Sequence, residues 1–417
     1  MLVWLLLWIP LILLWCLWVT QAILVAVQAR KFAHRVAKPV RPWHDVRKLK
    51  AAVIVPFKGH DHELTRNVRS LITQDYEDYR LVFVFESDDD PARRLIEEEL
   101  AQHAALPPID LVTAGLAPPD TGQKVHNQLA ALAFLEEQQD DSEAWVFADS
   151  DAVPGPGWLK KLAGPLIRSE HVGVTTGYRW LMPELRAQRP RPASMFASVI
   201  NSAVAHLTGH KNLTQAWGGS MAIRTDFARE HGLVENYFRG SLSDDYQMTR
   251  LCRDAGREVY FVFHCLVPSP INFTWGELFE FGRRQYLITR VHDPALYRKA
   301  VAVLLLYVAG FATAWLSLIF GLLSGFVIAP ILAAMAIFTV AIGNQVRAMY
   351  RRQAIANAFG RDQLRYLRHT LRLDQWGTPA VMAVNLVLML SAAVGNTMTW
   401  RNNHYRLDGP RAIQKLD

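Results

Sequence analysis

The stretch EAWVFADSDA, residues 143–152, decides the fold of this 417-residue chain. A very apolar run is followed at once by two carboxylates, Asp149 and Asp151. A short, continuous apolar run is typical of a strand buried in a parallel sheet, and such sheets bind ligands beyond the carboxyl ends of their strands. Because hard divalent cations prefer carboxylate oxygens, the two aspartates predict a site for Mg²⁺ or Mn²⁺ shared with a diphosphate.

Three similar apolar runs precede this stretch along the chain: AAVIVPF at 51–57, RLVFVFE at 80–86 and IDLVTA at 109–114. Helical segments are predicted between the runs, among them 91–102 and 123–137. The alternation of strands and helices indicates an α/β fold with a mostly parallel sheet that is covered by helices. Polar residues just after each strand are therefore the candidates for binding and catalysis.

Those positions are unusually acidic. The further acidic segments are ESDDD at 86–90 and SDDY at 243–246, and the second of them opens a predicted helix that runs to about 255. Asp90 precedes a proline, so it can equally be the cap of the next helix. Lys124 begins the predicted helix 123–137, where it faces either phosphate oxygens or solvent.

Three stretches are almost free of charge: 2–27, 300–342 and 380–398. About 20 apolar residues cross a bilayer as a helix, so the first and last stretches are each long enough for one span and the middle one for two. Basic residues follow the first stretch, which predicts a retained signal anchor with its N-terminus outside and the next domain in the cytoplasm. Those basic residues are Arg30, Lys31, Arg35, Lys38 and Arg41.

The composition argues against several functional classes. The net charge of +7 needs no nucleic acid as a partner, because much of it lies beside the predicted spans, where it favours anionic lipid head groups. The three cysteines, Cys16, Cys252 and Cys265, have no paired spacing. Neither a disulfide framework nor a zinc site is therefore predicted.

Five segments in order, VIVPFKG, ESDDDPA, GQKVHN, ADSDA and LSDDYQ, resemble the family 2 glycosyltransferases of GT-A fold. Within that group the chain is most similar to the ceramide glucosyltransferases and their bacterial relatives. The segment TWRNNHYRL at 399–407 also resembles a segment near the end of those proteins. The resemblance extends over nearly the whole chain, and the combined order of the segments is far more specific than any one of them.

The resemblance implies an inverting transfer of a sugar, glucose by analogy, from a UDP-sugar donor to the hydroxyl of a ceramide-like membrane lipid. It places the metal on Asp149 and Asp151 and makes Asp245 the catalytic base. Residues implied to bind the donor or to lie beside the reacting sugar are Pro56, Lys58, Glu86, Asp88, Asp89, Lys124, Asp149, Gly218, Gly219, Ser220 and Asp244.

The chain departs from the family pattern at one motif. Where the family has (Q/R)xxRW, this sequence reads GRRQYLITR at 282–290, so Tyr286 replaces tryptophan and Gln285 replaces arginine. Arg283 and Arg284 are the candidates to supply the positive charge at the substrate. Aromatic residues mixed with arginines predict that the helix 275–290 lies at the membrane interface, and the alternative is an ordinary amphipathic helix packed on the sheet.

The predicted organisation has four parts: an anchor at 1–29, a cytoplasmic GT-A domain at 45–290, a C-terminal membrane region at 300–400 and a basic tail at 401–417. The stretch 380–398 is either a third span of that region or a re-entrant segment. Because the tail is basic, we expect it in the cytoplasm, with the stretch re-entrant. The tail residues expected to help close the lipid site are Trp400, Arg401 and Tyr405.

Two alternatives to a lipid glycosyltransferase remain open. A processive polysaccharide synthase has the same chemistry but normally needs more spans and an intact QxxRW motif. A membrane scaffold with an inactive transferase domain would not need intact acids at every strand end. The number of sugars in the product separates the two enzymes, and binding or hydrolysis of a nucleotide-sugar separates an enzyme from a scaffold.

Overall fold

The computed structural model describes residues 2–39, 48–59, 64–184, 189–210, 213–324, 327–400 and 403–416. Its helices are α1 Leu2–Ala37, α2 Leu64–Ile72, α3 Pro91–Leu100, α4 Gln123–Glu137, α5 Trp158–Arg168, α6 Pro192–Ala205, α7 Thr225–Glu230, α8 Asp244–Asp254, α9 Trp275–His292, α10 Pro294–Ser324, α11 Ile328–Phe359, α12 Asp362–Tyr366, α13 Arg368–Trp376 and α14 Thr378–Ser391. A π-helical turn covers Leu233–Phe238. Its strands are β1 Ala51–Pro56, β2 Tyr79–Phe85, β3 Ile109–Thr113, β4 Ala144–Ala148, β5 Val172–Pro183, β6 Ser220–Arg224, β7 Glu258–Ile271, β8 Thr397–Trp400, β9 Asn403–Gly409 and β10 Ala412–Lys415.

The chain divides into two compact units. The sheet unit contains Pro39–Trp180, Leu207–Ser269 and Asn396–Asp417. The helical unit contains Met1–Lys38, Leu181–His206 and Pro270–Gly395. Each unit therefore draws its residues from separate parts of the chain.

The main sheet has seven strands in the order β3-β2-β1-β4-β6-β5-β7. β1 pairs in parallel with β2 and β4, and β2 pairs in parallel with β3, whereas β6 is antiparallel to β4 and β5. The predicted α/β fold with a mostly parallel sheet is confirmed. In the parallel part the carboxyl ends of the strands meet at one edge, which places the residues after β1, β2 and β4 together.

Burial explains why continuous apolar runs became the central strands. Every residue of β1 is buried, and so is every residue of β4. Val53 and Val55 pack into the core on one face of the sheet, while Ile54 packs into the core on the other face with Phe147 of β4. Apolar side chains are therefore needed on both faces, as expected for a parallel sheet covered by helices.

Three helices among the described residues are long and apolar enough to cross a membrane: Trp8–Ala37, Pro294–Gly321 and Ile328–Phe359. α1 packs against α10 through Trp18, whose ring lies edge-on to Tyr307 at a centroid distance of 5.8 Å. A Cβ atom on Gly310 would lie 2.7 Å from Trp18 Cγ, so only glycine permits this close packing. These helices agree with the predicted membrane stretches near 2–27 and 300–342.

The third predicted membrane stretch, 380–398, forms a much shorter helix. α14 has 14 residues, and at about 1.5 Å per residue it is shorter than the roughly 30 Å hydrocarbon core of a bilayer. Arg283 and Arg290 of α9 donate hydrogen bonds to carbonyl groups at and just after the C-terminal end of α14. The arginines thus supply hydrogen-bond donors to the last residue of α14, whose carbonyl has no partner within the helix, and to the turn that follows it. The acceptors are the carbonyl oxygens of Ser391, Ala393, Val394 and Gly395.

The C-terminal tail folds into a three-stranded antiparallel sheet, β10-β9-β8, that belongs to the sheet unit. Arg411 donates hydrogen bonds of 2.8 to 3.1 Å to the carbonyl oxygens of Glu235, Asn236 and Arg239, at and just after the π-helical turn. Gln247 of α8 donates to the carbonyl of Pro410 at 2.7 Å. The tail therefore holds the segment that leads into α8. Arg401, predicted to help close the lipid site, lies outside the described residues.

A buried charge cluster joins α11 to α13 and α14 in the helical unit. Arg347 Nη2 lies 2.9 Å from Asp374 Oδ1 and donates to Thr378 Oγ1 at 2.9 Å. Arg351 Nη1 pairs with the same carboxylate oxygen. The side chains of the two arginines and the aspartate are only 3–7% exposed. One carboxylate thus compensates two guanidinium groups that water cannot reach.

Removing that carboxylate should cost much of the stability of the helical unit. We expect Asp374→Ala to lower the free energy of unfolding by about 3–5 kcal/mol, because it leaves buried charges unpaired. Denaturant unfolding of the purified protein in detergent measures this loss. The control is Asp408→Ala, which breaks an exposed pair with Arg406 and should cost about 1 kcal/mol or less. Equal, small losses in both variants would contradict the role of the cluster.

Candidate active site

One buried lysine joins acidic residues from two parts of the chain. Lys124, at the start of α4, has its Nζ 2.7 Å from Oδ1 of Asp149, which directly follows β4. The same Nζ lies 2.9 Å from Oδ2 of Asp244, at the start of α8. Lys124 therefore faces carboxylates in this structure, where the sequence left phosphate oxygens and solvent as the alternatives.

The charges in this cluster depend on one another. Burial alone would lower the pKa of Lys124, but the carboxylates of Asp149 and Asp244 raise it above its ordinary value, so the lysine stays protonated. Burial raises the pKa of Asp149, as do the negative charges of Asp151 and Asp244, while Lys124 opposes the rise. The ammonium group is what allows several carboxylates to share this edge of the sheet.

The WGGS segment before β6 packs directly against the cluster. A Cβ atom on Gly218 would lie 2.5 Å from Asp244 Oδ2 and 2.6 Å from Lys124 Nζ. A Cβ atom on Gly219 would lie 2.6 Å from Asp149 Oδ2. A side chain at either position would therefore displace groups of the cluster, so glycine is what lets the segment lie this close to it. Ser220, the next residue, accepts a 2.7 Å hydrogen bond from the indole nitrogen of Trp158.

The two aspartates of SDDY have different surroundings. Asp244 is buried and, besides Lys124, accepts a 2.7 Å hydrogen bond from Gln128 Nε2. Asp245 is only partly buried and accepts hydrogen bonds from the Ser243 hydroxyl and, at 2.8 Å, from the backbone N–H of Tyr246. Burial, followed by the charge of Asp244, raises the pKa of Asp245 to about 6. This raised pKa brings proton exchange by Asp245 closer to neutral pH.

The second aspartate after β4, Asp151, pairs with Arg179 of β5 at 3.0 Å. The Asp151 side chain is 41% exposed, so its carboxylate is accessible from solvent. Among the described residues no group of three or more His, Cys, Asp or Glu side chains could hold a metal ion. Asp149 and Asp151 fit a hard cation that takes its remaining ligands from a diphosphate and water, as expected for Mg²⁺ or Mn²⁺.

The residues predicted to contact uridine lie at the end of β1 and just after β1 and β2. Pro56 is the buried last residue of β1, and Lys58 Nζ lies 2.7 Å from Glu86 Oε2. Asp88 pairs with Arg93 and is exposed, as is Asp89. These two aspartates therefore lie toward solvent at the strand end.

The cap interpretation of Asp90 is confirmed. Asp90 Oδ1 accepts hydrogen bonds from the backbone N–H groups of Ala92 at 2.9 Å and Gly59 at 3.0 Å. The carboxylate therefore caps α3 and at the same time ties the loop after β1 to the loop after β2. This is a structural role that needs no ligand.

The residues at the altered motif belong to the helical unit and lie on α9, which confirms a helix over 275–290. Arg283 binds the end of α14, and the Arg284 guanidinium lies 5.5 Å from the ring centroid of Phe281. Tyr286 donates to the side-chain carbonyl of Asn385 in α14. Gln285, the next residue after Arg284, accepts through its backbone carbonyl from Thr289. The contacts described here support a structural role, and the predicted role of these four residues toward substrate stays a prediction.

Sequence reasoning missed two members of the site, Arg179 and Gln128. Arg179 binds Asp151, 28 residues away along the chain, and Gln128 binds Asp244, 116 residues away, so no local sequence spacing could predict either contact. The signal for Arg179 is its place between Tyr178 and Trp180 in an otherwise buried strand, where a charged residue needs a partner.

Residues 14–413 match the family model of glycosyl transferase family 21. The chain belongs to this family. The predicted class of enzyme, a glycosyltransferase, is thereby confirmed, while the predicted assignment to family 2 is not. A comparison with curated proteins found no match.

The family 21 glycosyltransferase is also similar to solved structures of low sequence identity. One is a mannosyltransferase from Pyrobaculum calidifontis in complex with GDP-Man and Mn²⁺, with 13% identity, a TM-score of 0.45 and coverage of 92% of this chain and 97% of that chain. Another is glucosyl-3-phosphoglycerate synthase from Mycobacterium tuberculosis in complex with Mn²⁺ and UDP-glucose, with 14% identity, a TM-score of 0.37 and coverage of 57% of this chain and 77% of that chain.

Proposed function

We propose that this family 21 glycosyltransferase is an inverting enzyme that moves a sugar from a UDP-sugar to the hydroxyl of a membrane lipid. The observation that carries the proposal is the cluster of Lys124, Asp149 and Asp244 at the carboxyl edge of the sheet, with Asp245 beside it. In the part of the chain that the structure describes, three helices are also long and apolar enough to cross a membrane. By its resemblance to ceramide glucosyltransferases, glucose is the favoured sugar and a ceramide-like lipid the favoured acceptor.

The donor is expected to lie along the edge formed by β1, β2 and β4. Pro56, Lys58 and Glu86 would face the uridine, and Asp149 and Asp151 would hold Mg²⁺ or Mn²⁺. When bound, that metal would offset the negative charge that develops on the leaving diphosphate. Gly219 lets the backbone before β6 approach Asp149 closely, which suits a position under the sugar.

Asp245 is the better candidate for the catalytic base. A base must accept a proton, and Asp244 is buried and occupied by Lys124 and Gln128. Asp245 is partly exposed and has a raised pKa, so it takes up a proton more readily than an ordinary carboxylate. It would remove the proton of the acceptor hydroxyl as that oxygen attacks the anomeric carbon and the bond to the diphosphate breaks. A single displacement inverts the configuration at that carbon.

A lipid acceptor is supported by the helical unit itself. α9 carries exposed aromatic side chains at Trp275 and Phe279 together with arginines, a composition typical of a helix at a membrane interface. α14 is apolar but too short to span, and Val387 and Leu390 on it are exposed. Such surfaces are stable in contact with lipid and costly in water.

We infer the membrane topology from the composition of the two units. The tail and the main sheet belong to the same compact unit, so both must lie on one side of the membrane. The chain between the main sheet and the tail therefore crosses the membrane an even number of times. One crossing by α10 and one by α11 meet this condition, so α14 would not add a third crossing. The basic residues in and after the last turns of α1 favour the cytoplasm for that side.

Replacement of the base should abolish transfer without abolishing donor binding. We expect Asp245→Asn to lower kcat by about 100- to 10,000-fold, since it keeps the shape but removes the basicity. In the wild-type enzyme, kcat/KM should fall as the pH is lowered through about 6, because the protonated carboxyl accepts no proton. The matched control is Asp254→Asn, at the far end of α8, which should leave transfer unchanged. Near-normal turnover of Asp245→Asn would transfer the role to Asp244.

The donor and acceptor are tested directly with membranes that contain the enzyme. Incubation with a panel of labelled UDP-sugars, followed by extraction and analysis of lipids, should show one sugar per lipid and only with Mg²⁺ or Mn²⁺. EDTA should stop the reaction, and added metal should restore it. A polymeric product would favour the polysaccharide synthase. Binding of no nucleotide-sugar at all would favour the inactive scaffold.

The proposed topology is tested by labelling single cysteines in intact cells. In a Cys16→Ala background, Gln414→Cys in the tail and Arg94→Cys in α3 are both exposed positions of the sheet unit. We expect a membrane-impermeant maleimide to label both only after the cells are permeabilised. Labelling of the tail alone in intact cells would mean that α14 completes a further crossing.

A further inference from the structure

Arg179 is the cation that binds the second aspartate of the proposed metal site. It lies on β5, and its Nη2 is 3.0 Å from Asp151 Oδ2. Its guanidinium carbon lies 5.8 Å from the ring centroid of Trp217, the residue just before Gly218 and Gly219. Arg179 therefore belongs to the same edge of the sheet as Asp149 and Lys124, although it lies inside a strand and is not part of any of the sequence motifs described above.

The guanidinium keeps a binding capacity that its protein neighbours do not use. Arginine has five N–H donors in a planar fork that matches the oxygens of phosphate groups. The Nε of Arg179 is buried, and among the described residues it has no hydrogen-bond partner. A buried donor without an acceptor is unfavourable, so a site that keeps one is suited to a ligand that supplies the acceptor.

The pairing of Arg179 with Asp151 conflicts with metal binding. A divalent cation on Asp151 would repel the guanidinium that already neutralises this carboxylate. A diphosphate removes the conflict, because its oxygens attract both the metal and the arginine. The contact of the guanidinium with the Trp217 ring is long, at 5.8 Å, and cation–π contacts extend only to about 6 Å, so this ring does not fix the position of the guanidinium tightly.

We propose, on the basis of the UDP-sugar donor put forward above, that Arg179 is a donor-binding residue that moves from Asp151 to the diphosphate. Arrival of the nucleotide then opens Asp151 to the metal, and metal and nucleotide bind cooperatively. Without the nucleotide, Arg179 keeps Asp151 neutralised and holds metal affinity low. This couples the two ligands through one side chain.

The test measures binding of Mn²⁺ to the full-length protein in detergent, with and without UDP. For the wild type we expect UDP to strengthen Mn²⁺ binding by about fivefold or more. Arg179→Met should bind Mn²⁺ more tightly than the wild type in the absence of UDP, since the competing cation is gone. The same variant should bind UDP about 10- to 100-fold more weakly, and UDP should strengthen its Mn²⁺ binding less than in the wild type, because only the direct contact between diphosphate and metal remains.

Two further variants make the result specific. Arg179→Lys keeps the charge but not the planar fork, so its side chain should still compete with Mn²⁺ for Asp151 while UDP binds more weakly. If Arg179→Met does not fold, the lysine variant still tests the contribution of the planar fork to UDP binding. Arg229→Met removes another arginine that lies over a tryptophan, 5.5 Å from the Trp145 ring, and should behave as the wild type.

Unchanged Mn²⁺ affinity and unchanged cooperativity in Arg179→Met would overturn the proposal, and so would a wild-type protein that binds neither ligand. Because every readout is binding, failure of lipid glycosylation with normal UDP and Mn²⁺ binding would contradict only the proposed acceptor.

Discussion

The ion pairs of Lys124 with Asp149 and Asp244 are the constraint on which the site depends. Two unit charges of the same sign 4 Å apart repel by about 4 kcal/mol at the effective dielectric constant typical near a protein surface, and burial increases this cost. Carboxylates from the end of β4 and the start of α8 therefore meet only because a protonated amine lies between them. The same contact explains the glycines before β6, since any side chain at Gly218 would occupy the space of the lysine.

The sequence predicted those parts of the fold whose physical signal is local. Continuous apolar runs identified β1 to β4, and helix α4 begins and ends at the predicted residues, because burial on both faces and helical periodicity are visible over a few residues. The acids after β2 and β4 were equally visible. The parts that were not predicted rest on distant partners: Arg179 depends on Asp151, and the tail sheet depends on the carbonyl groups that Arg411 binds.

The altered motif on α9 shows why a motif does not by itself assign a role. Arg283 and Arg290 lie two turns apart on the same side of the helix, and both donate to the open carbonyl end of α14. Tyr286, between them, reaches Asn385 on the same short helix. In this chain the segment therefore stabilises a helix that is too short to cross a bilayer and whose polar end would otherwise be left without partners.

The hairpin of β9 and β10 binds the segment before α8 and so supports the position of Asp245, yet it follows α10 and α11 along the chain. During synthesis the ribosome makes those apolar helices before it makes the hairpin. The sheet unit therefore lacks its last strands until α10 and α11, which are long and apolar enough to cross a membrane, have been synthesised. A nascent chain that has all seven strands of the main sheet therefore still lacks the hairpin that holds the segment before α8, so the sheet unit is completed only when the last residues of the chain have been translated.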